Sequence, residues 1–306
     1  MGISINVING DITVMSLFEG SPAYRSGIRR GDVIARISGQ SAKDMTSEEA
    51  VSLLRGPKGT AVNISLRRVG YDDFIEMAVE RDEISIATIE SAFLADNDIG
   101  YVKLGDFSET TNRDLTAALK MLRGEGMKRL LLALRNNPGG PLDQSIKVSN
   151  QFLPKGDLIV YTRGRVENSD QDYHATREGE FTDIPLIVLV NRNSASASEI
   201  VAGSIQDHDR GLVVGETTFG KALVQSIYRV SHGAGLALTT ARYYTPSGRM
   251  IQRPWDGTFD EYLTYSMRDQ SPPVHSPADR KYTDGGRVVY SGGAVSYTHL
   301  TLPPKA

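Results

Sequence analysis

The sequence has no cysteine. Disulfide bonds, thiolate metal sites and a cysteine nucleophile are therefore excluded, while the redox compartment stays open. The sequence also lacks an apolar run of the roughly 18 residues that a membrane-spanning helix needs. Its first residues, "MGISINVINGD", have neither the basic nor the apolar segment of a signal peptide. Membrane association is therefore not visible in this chain.

The chain also lacks a large excess of charge of either sign. The formal net charge is −3 over 306 residues, and the Lys and Arg residues are scattered along the chain. This distribution argues against a nucleic-acid partner. The length predicts one large domain with one small domain, and no grouping of residues calls for a metal ion or a cofactor.

Residues 1–82 are predicted to form a small β-rich domain. Short apolar strands such as "DITVMSLF", "VIARI" and "TAVNISLRRV" are separated by Gly- and Pro-containing turns. One helix is expected within "TSEEAVSLLRG", because Thr46 and Glu49 have the spacing of a capping box. Gly56 is expected to end that helix as its C-cap.

Residues 83–294 have a different pattern. Continuous apolar segments, among them "RLLLAL", "DLIVYTR" and "PLIVLV", alternate with amphipathic segments that are predicted to be helices. One helix is expected over about 142–153 and another from the serine-rich turn to about His208. This alternation predicts an α/β core with a mostly parallel sheet covered on both faces.

The last twelve residues, 295–306, do not continue this pattern. Their sequence, "VSYTHLTLPPKA", resembles the translation of a sequencing adapter. We therefore expect a non-native tail, and a natural chain that continues beyond the core. A start at "MGISI" is likewise expected to leave the first domain short at its N-terminus.

The stretch "NRNSASASEIVAG" offers a nucleophile. Ser196 lies between a buried strand and a predicted helix, a context that raises a side chain above the C-terminal edge of a sheet. The N–H groups at the start of that helix favour an anion at the same place. The alternative is a structural role, because Ser196 and Glu199 also have the spacing of a capping box.

A serine nucleophile needs a base, and no histidine has a partner at a telling spacing. Each histidine is expected at the surface, and Asp207, His208 and Asp209 do not converge as metal ligands would. The five histidines are His174, His208, His232, His275 and His299.

Lys221 is the other candidate base. In a strand it would share one face with Leu223, Gln225 and Ile227. Apolar surroundings would lower the pKa of its amine, which could then accept the serine proton, and Gln225 could orient it. The alternative is a surface lysine at a strand end.

The stretch "LRNNPGGPLDQ" could stabilise an oxyanion. Gly139 or Gly140 would let a backbone N–H approach a ligand closely, and the N–H of Ala197 would supply a second donor. The alternative is an ordinary turn between a strand and a helix.

Three stretches, "LRNNPGG", "LVNRNSASASEIVAGSIQDHDRGLVVGETTFGKALVQ" and "TARYYTPSGRMIQ", closely resemble the carboxyl-terminal processing protease family. The resemblance implies a crotonase-like α/β peptidase core and a Ser-Lys pair without histidine. It assigns Ser196 as nucleophile, Lys221 as base and Gln225 as the orienting residue. The oxyanion donors would come from Ala197 and from Gly139 or Gly140. One departure is Ala133, where the family often has Asp.

Residues 1–82 resemble the PDZ domain of the same family. This resemblance implies that the domain binds the C-terminal residues of protein or peptide substrates by strand addition and carboxylate capture. The binding groove would use the loop at Gly2, Ile3 and Ser4 and the helix over 47–55, which includes Leu54. An extracytoplasmic location is also implied, and an oligomer is possible.

Two other functions remain open. One is a PDZ-containing scaffold whose peptidase-like domain is silent. The other is a crotonase-like enzyme acting on an acyl thioester, which would use the glycine-rich turn without a serine nucleophile. The combination of Ser196 with Lys221 argues against the second.

Overall fold

The computed structural model describes residues 1–84, 87–96, 98–230, 234–253, 258 and 276–295. The chain divides into two compact units, Met1–Ile86 and Ala87–Ala306. Across the described ranges, no helix combines the length and the apolar character needed to cross a bilayer.

The first unit is an antiparallel sheet with two helices. The strand order is β1-β2-β3-β5-β6, and β4 pairs with β3. The elements are β1 (Ile3–Ile8), β2 (Asp11–Leu17), α1 (Pro22–Arg25), β3 (Val33–Ile37), β4 (Gln40–Ser41), α2 (Ser47–Leu54), β5 (Ala61–Arg67) and β6 (Ile75–Glu80).

The helix α2 begins as its sequence predicts and ends differently. The Thr46 side chain accepts a hydrogen bond from the Glu49 N–H at 3.2 Å, and the Thr46 N–H donates to Glu49 Oε2 at 2.8 Å. The capping-box prediction is confirmed. The prediction of Gly56 as C-cap is wrong, because Arg55 takes that position in an extended conformation. Arg81 donates to the carbonyls of Leu53 and Leu54 and so satisfies the helix end without a glycine.

The second unit contains a five-stranded sheet in the order β13-β12-β9-β8-β7. Its members are β7 (Ile89–Ala95), β8 (Ile99–Leu104), β9 (Arg129–Ala133), β12 (Leu186–Val190) and β13 (Leu212–Gly215). The pairs β8–β9, β9–β12 and β12–β13 are parallel, and only β7 runs antiparallel to its neighbour. The alternation of apolar strands and helices predicted these parallel pairs.

A second sheet of the same unit is wholly antiparallel. It has the order β11-β10-β15-β14 and consists of β10 (Leu158–Gly164), β11 (Gln171–His174), β14 (Leu223–Arg229) and β15 (Gly235–Tyr244). The unit as a whole therefore has mixed sheets, and the prediction of one mostly parallel sheet describes only the five-stranded one. Apolar periodicity does not report strand direction, which explains the difference.

Three helices pack with these sheets around one apolar core. They are α3 (Thr111–Gly124), α4 (Leu142–Asn150) and α5 (Ala197–Asp207). Every residue of α5 is buried, and this helix packs against α4, β10 and β13. A helix that is buried on all sides has a fixed position, so its first turn is a rigid support for the residues before it.

The chain then forms a small two-stranded sheet from β16 (Arg280–Tyr282) and β17 (Val288–Tyr290). Val295 is buried in the core, and its N–H donates to Thr218 Oγ1 at 2.9 Å. The remainder of the predicted tail, 296–306, lies outside the described residues.

The parallel strands β9 and β12 bring two loops together. Both strands end at the same edge of the sheet, where the Leu134 N–H donates to Leu189 O and the Ala195 N–H donates to Asn137 O. The glycine-rich turn after β9 therefore lies beside the serine-rich turn after β12, as expected for a site at the carboxyl ends of parallel strands.

Candidate active site

Ser196 occupies a strained turn between β12 and α5. Its backbone angles are φ 55° and ψ −112°, a combination that non-glycine residues rarely adopt. The Ser196 N–H donates to Glu199 Oε2 at 2.8 Å, so Glu199 turns back on the start of its own helix. A serine in a strained strand-to-helix turn has the geometry of a nucleophile, because the turn presents the hydroxyl above the sheet.

The two neighbouring serines have structural contacts instead. Ser194 is fully buried, and its hydroxyl donates to Leu134 O at 2.8 Å and accepts from the Asn191 N–H at 3.0 Å. The buried Ser198 hydroxyl donates to Asn137 O at 3.1 Å. Both therefore join the loops after β9 and β12, and of the three serines only Ser196 is partly exposed.

Gly139 lies directly against this turn, Gly140 lies against Phe107, and the N–H groups of the two glycines differ in their contacts. The Gly139 N–H donates to Asn137 Oδ1 at 2.9 Å. Among the residues that the structure describes, the N–H groups of Gly140 and Ala197 donate to no acceptor. Gly140 and Ala197 are thus the two candidate residues whose N–H groups are available to an anion.

Gly139 has to be a glycine because it lies too close to the turn at Ser196 for a side chain to fit. Its φ is +92°, and a Cβ atom there would lie 2.6 Å from Ala195 O, 2.7 Å from Ala197 N and 2.8 Å from Ser196 Cβ. Two of these atoms belong to the backbone and cannot move away as a flexible side chain could. The close approach of the two loops therefore depends on the absence of a side chain at this position.

We expect Gly139→Ala to lower the free energy of unfolding by about 3 kcal/mol or more, from backbone strain together with the clash. The matched control is Gly156→Ala, since Gly156 has a φ of +99° and open space where a Cβ would be. Strain alone is expected to cost that variant about 1 kcal/mol. Chemical denaturation of both variants measures the difference, and equal costs would show that the two loops can separate without penalty.

Glu199 connects the candidate nucleophile, Ser196, to the candidate base, Lys221, through the backbone. This fully buried carboxylate accepts at Oε2 from the N–H groups of Ser196 and Lys221, at 2.8 Å and 2.9 Å. At Oε1 it accepts from Thr218 Oγ1 at 2.6 Å and from the Gly220 N–H at 2.7 Å. Burial raises the pKa of Glu199 from 4.5 to about 7, while its four hydrogen bonds oppose that rise.

The shared oxygen atom places the backbone nitrogens of Ser196 and Lys221 side by side, although the residues are 25 positions apart. Their side chains are nevertheless not hydrogen-bonded to each other. Lys221 precedes β14 and is exposed, so the expectation of apolar surroundings for its amine is wrong in this structure. Gln225 lies within β14, is also exposed, and makes no hydrogen bond to Lys221.

The histidines have other partners or lie outside the described residues. His208 Nε2 contacts Leu158 O and Nδ1 contacts Asp284 Oδ2, each at 2.7 Å. His174 Nδ1 contacts Gly156 O at 2.9 Å. His232, His275 and His299 are not described.

The acidic neighbours of His208 bind arginines. Asp207 pairs with the buried Arg249, and Asp209 pairs with Arg287. Within the described part of the chain no group of His, Asp and Glu side chains could hold a metal ion.

The first unit has a groove between β1 and α2. Its volume is about 450 Å³, and Gly2, Ile3 and Leu54 line it as the sequence predicts. Ser4 is not among the lining residues; it pairs with Ser16 in the sheet. Ile5, Phe18 and Val51 make the groove largely apolar, and Arg55, Arg81 and Asp82 are its charged lining residues.

Comparison with known proteins assigns this architecture to a family. The model of peptidase family S41 matches residues 98–258, and the model of the PDZ domain matches residues 1–67. The chain belongs to peptidase family S41. The resemblance of "LRNNPGG" and of the long serine-to-lysine stretch to carboxyl-terminal processing proteases is thereby confirmed.

Several curated S41 relatives are similar over most of the chain. A carboxy-terminal-processing protease of Bartonella bacilliformis is 42% identical over 82% of this chain and 58% of its own length. A carboxyl-terminal-processing protease of Synechocystis sp. is 35% identical over 99% and 71%. The carboxy-terminal processing protease CtpA of Bacillus subtilis is 38% identical over 93% and 60%. The chain thus spans 58% of the length of the first of these relatives.

A solved structure shows the same fold. It is described as a putative S41 protease from Bacteroides fragilis, with a TM-score of 0.50 and 19% identity over 81% of this chain and 72% of that one. At this identity the likeness concerns the fold alone.

Two contacts of this S41 site were not predicted from the sequence. In the sequence Glu199 has the spacing of a helix-capping partner of Ser196, and in the structure it also binds the N–H of Lys221. The other residue is Tyr243, whose hydroxyl contacts Ser196 O at 3.1 Å and also Lys221 O. The S-x-x-E spacing indicates the contact of Glu199 with Ser196. The tyrosine pair in "TARYYTPSGR" gives no local indication of the contacts of Tyr243.

Proposed function

We propose that this S41 chain is a serine endopeptidase that cleaves proteins or peptides near their C-terminus with a Ser-Lys pair. The observation that carries the proposal is the strained turn of Ser196, with the available N–H groups of Gly140 and Ala197 beside it. The hydrogen bonds from the N–H groups of Ser196 and Lys221 to one carboxylate oxygen support Lys221 as the base.

In this mechanism Ser196 Oγ attacks the scissile carbonyl carbon, and the Lys221 amine accepts the hydroxyl proton. The N–H groups of Ala197 and Gly140 donate to the oxyanion of the tetrahedral intermediate. The C–N bond then breaks, Lys221 gives the proton to the leaving amine, and an acyl-enzyme remains. Water attacks the ester carbon while Lys221 accepts a proton from it. The C–Oγ bond then breaks, Lys221 returns the proton to Ser196 Oγ, and the new carboxyl terminus leaves.

Substrate binding also covers the Lys221 amine in this mechanism. The Lys221 side chain is exposed, and only a neutral amine can accept a proton. A polypeptide lying over the amine excludes bulk water from the proton transfer. Gln225 is proposed to hydrogen-bond the amine in that assembled state.

The proposal is tested by following casein cleavage by the wild-type protein, Ser196→Ala and Lys221→Ala, with circular dichroism to verify the fold of each. Loss of cleavage in both variants supports the Ser-Lys mechanism. Near-wild-type cleavage by either one overturns it.

We also propose that the groove between β1 and α2 binds the C-terminal residues of substrates. Strand addition to β1 would place an apolar terminal side chain between Ile3 and Leu54. The carboxylate would meet the backbone N–H groups at the start of β1. A fluorescent peptide with an apolar, free C-terminus is expected to bind at least about tenfold more tightly than its C-terminal amide, as anisotropy would measure. Equal affinities would exclude carboxylate capture.

The finer assignments of the chain follow the family resemblance. We infer a PDZ domain over 1–82, a crotonase-like peptidase core over 83–294, a non-native tail over 295–306 and an extracytoplasmic location. Limited proteolysis tests the domain boundary, and fractionation of cells that produce the natural protein tests the location.

A silent scaffold is the second candidate function, because Ser196 and Lys221 are not hydrogen-bonded in this structure. A scaffold would bind the free-carboxylate peptide yet never form an acyl-enzyme. Mass spectrometry after quenching in acid distinguishes the two, since an acylated Ser196 peptide is expected only from the peptidase.

A further inference from the structure

The hydroxyl of Tyr243 lies between the two proposed reactive residues. Tyr243 belongs to β15 and is 2% exposed. Its Oη atom is 3.1 Å from Ser196 O and makes a short contact to Lys221 O. These two carbonyls are 25 residues apart, so a single side chain bridges two separate loops of the site.

The Tyr243 hydroxyl has one proton and two carbonyl acceptors, and these carbonyls differ in the other donors that they have. Ser196 O also accepts from the N–H groups of Glu199 and Ile200, at 2.9 Å and 3.0 Å. Among the described residues, Tyr243 is the only donor to Lys221 O. Removal of the hydroxyl would therefore leave the Lys221 carbonyl without a partner, while the Ser196 carbonyl keeps two.

The hydroxyl remains a donor over a wide pH range. Burial and the nearby Glu199 raise the pKa of Tyr243 well above its usual value, so the phenol keeps its proton. A protonated phenol between two carbonyls has only one available role, which is to donate.

The Lys221 backbone is consequently held from both sides. Its N–H donates to Glu199 Oε2 at 2.9 Å, and its C=O accepts from Tyr243. The stretch over 216–222 has no helix or strand of its own, so such contacts define where it lies. Above this fixed backbone the lysine side chain is exposed and has room to move.

We propose that Tyr243 is a positioning residue that fixes the backbone of Lys221 against that of Ser196, and thereby sets the distance over which the amine reaches the hydroxyl. This inference rests on the proposed peptidase function. The Tyr243 hydroxyl contacts the backbone carbonyls of Ser196 and Lys221, so the residue acts through the backbone of the two proposed reactive residues.

The test is Tyr243→Phe, which removes one oxygen atom and keeps the ring that fills the core. The kcat for a peptide substrate, per folded molecule, is expected to fall about tenfold to a hundredfold, with KM within about twofold of the wild-type value. A purely structural role would lower the melting temperature and leave kcat per folded molecule unchanged.

Tyr244→Phe is the matched control. Tyr244 is the next residue of β15, and its side chain points to the opposite face, where its ring stacks on Tyr161 at 5.0 Å. Removal of that hydroxyl alters no contact to Ser196 or Lys221, so kcat and KM are expected to match the wild-type values.

Parallel assays of Ser196→Ala and Lys221→Ala separate the two hypotheses. If both are inactive and Tyr243→Phe keeps a wild-type kcat, the positioning role is wrong and the peptidase function stands. If either retains full activity, the peptidase function itself fails.

The hydrogen bond of the Tyr243 hydroxyl can also be measured in the wild-type protein, so this test does not depend on the folding of a variant. With ¹³Cζ-labelled tyrosine in mixed H₂O and D₂O, a hydrogen-bonded, buried hydroxyl exchanges slowly and splits its ¹³C signal. Tyr243 is expected to give such a split signal, and a single averaged signal would contradict the bridge.

Discussion

Replacing Ser196 or Lys221 by alanine is expected to reduce kcat for casein cleavage by about 10⁴-fold or more. Ser196→Ala removes the atom that forms the acyl-enzyme, and Lys221→Ala removes the proposed base, whose backbone N–H shares a carboxylate oxygen with the N–H of Ser196. Since each step of the mechanism uses both groups, the double variant is expected to be no worse than either single variant.

The stability of these variants is expected to change little. The Lys221 side chain is exposed and makes no hydrogen bond among the described residues, so its loss leaves no buried group unpaired. Lys147→Ala is the matched control. Lys147 is exposed on α4, where it pairs with Asp143 at 2.8 Å. Its replacement is expected to leave kcat unchanged, so a similar loss of activity in this control would point to an effect of charge alone.

Glu199→Gln is expected to have the next largest effect. Three N–H groups and one hydroxyl point at the carboxylate, and an amide places an NH₂ group against some of these donors. We expect the free energy of unfolding to fall by about 2–4 kcal/mol. Because the backbones of Ser196 and Lys221 lose their common acceptor, kcat is expected to fall about a hundredfold or more.

The same residue predicts opposite effects of pH on stability and activity. The pKa of Glu199 rises from 4.5 to about 7 on folding, so the folded state favours the protonated form. This stabilisation is fully present below pH 4.5 and is lost as the pH rises through about 7, an effect of about 3 kcal/mol. Activity is expected to rise over the same range, because only the ionised carboxylate accepts from all four donors.

Measurements of unfolding and of kcat from pH 5 to 8 test both effects in the wild-type protein and in Glu199→Gln. The variant has no titrating group at this position and should lose the dependence of stability, together with the part of the kcat dependence that comes from Glu199. Glu216→Gln is the control, since Glu216 is an exposed carboxylate that pairs with Arg192 at the surface. Its replacement is expected to cost less than about 1 kcal/mol. A Glu199→Gln variant with the wild-type pH dependence would assign that dependence to another group.

The strand-to-helix turn at Ser196 could be predicted because its signals are local. A buried strand, a serine and a helix start follow one another within a few residues, and a glycine pair after β9 has the composition of a close backbone approach. Parallel pairing of β9 with β12 then brings the two turns to one edge, which the alternation of strands and helices already implied.

Packing of the loops gives different contacts to serines and glycines that look alike in the sequence. The sequence offers three serines and two glycines with similar surroundings. In the fold Ser194 and Ser198 are buried and hydrogen-bonded to the neighbouring loop, and the Gly139 N–H is bound to Asn137. Among the described residues, the Ser196 hydroxyl and the Gly140 N–H stay available. The hydrogen-bonding groups of the other two serines and of Gly139 are satisfied by contacts within and between the loops.

The sequence by itself determined the family and the two kinds of domain, and it offered Ser196 and Lys221 as the candidate pair, because these depend on motifs and on the periodicity of single elements. Only the tertiary structure placed the carboxylate of Glu199 and the hydroxyl of Tyr243 between those two residues, added an antiparallel sheet and left the lysine exposed. The physical reason is that a hydrogen bond between distant loops depends on where whole strands and helices pack, and no local pattern encodes that position.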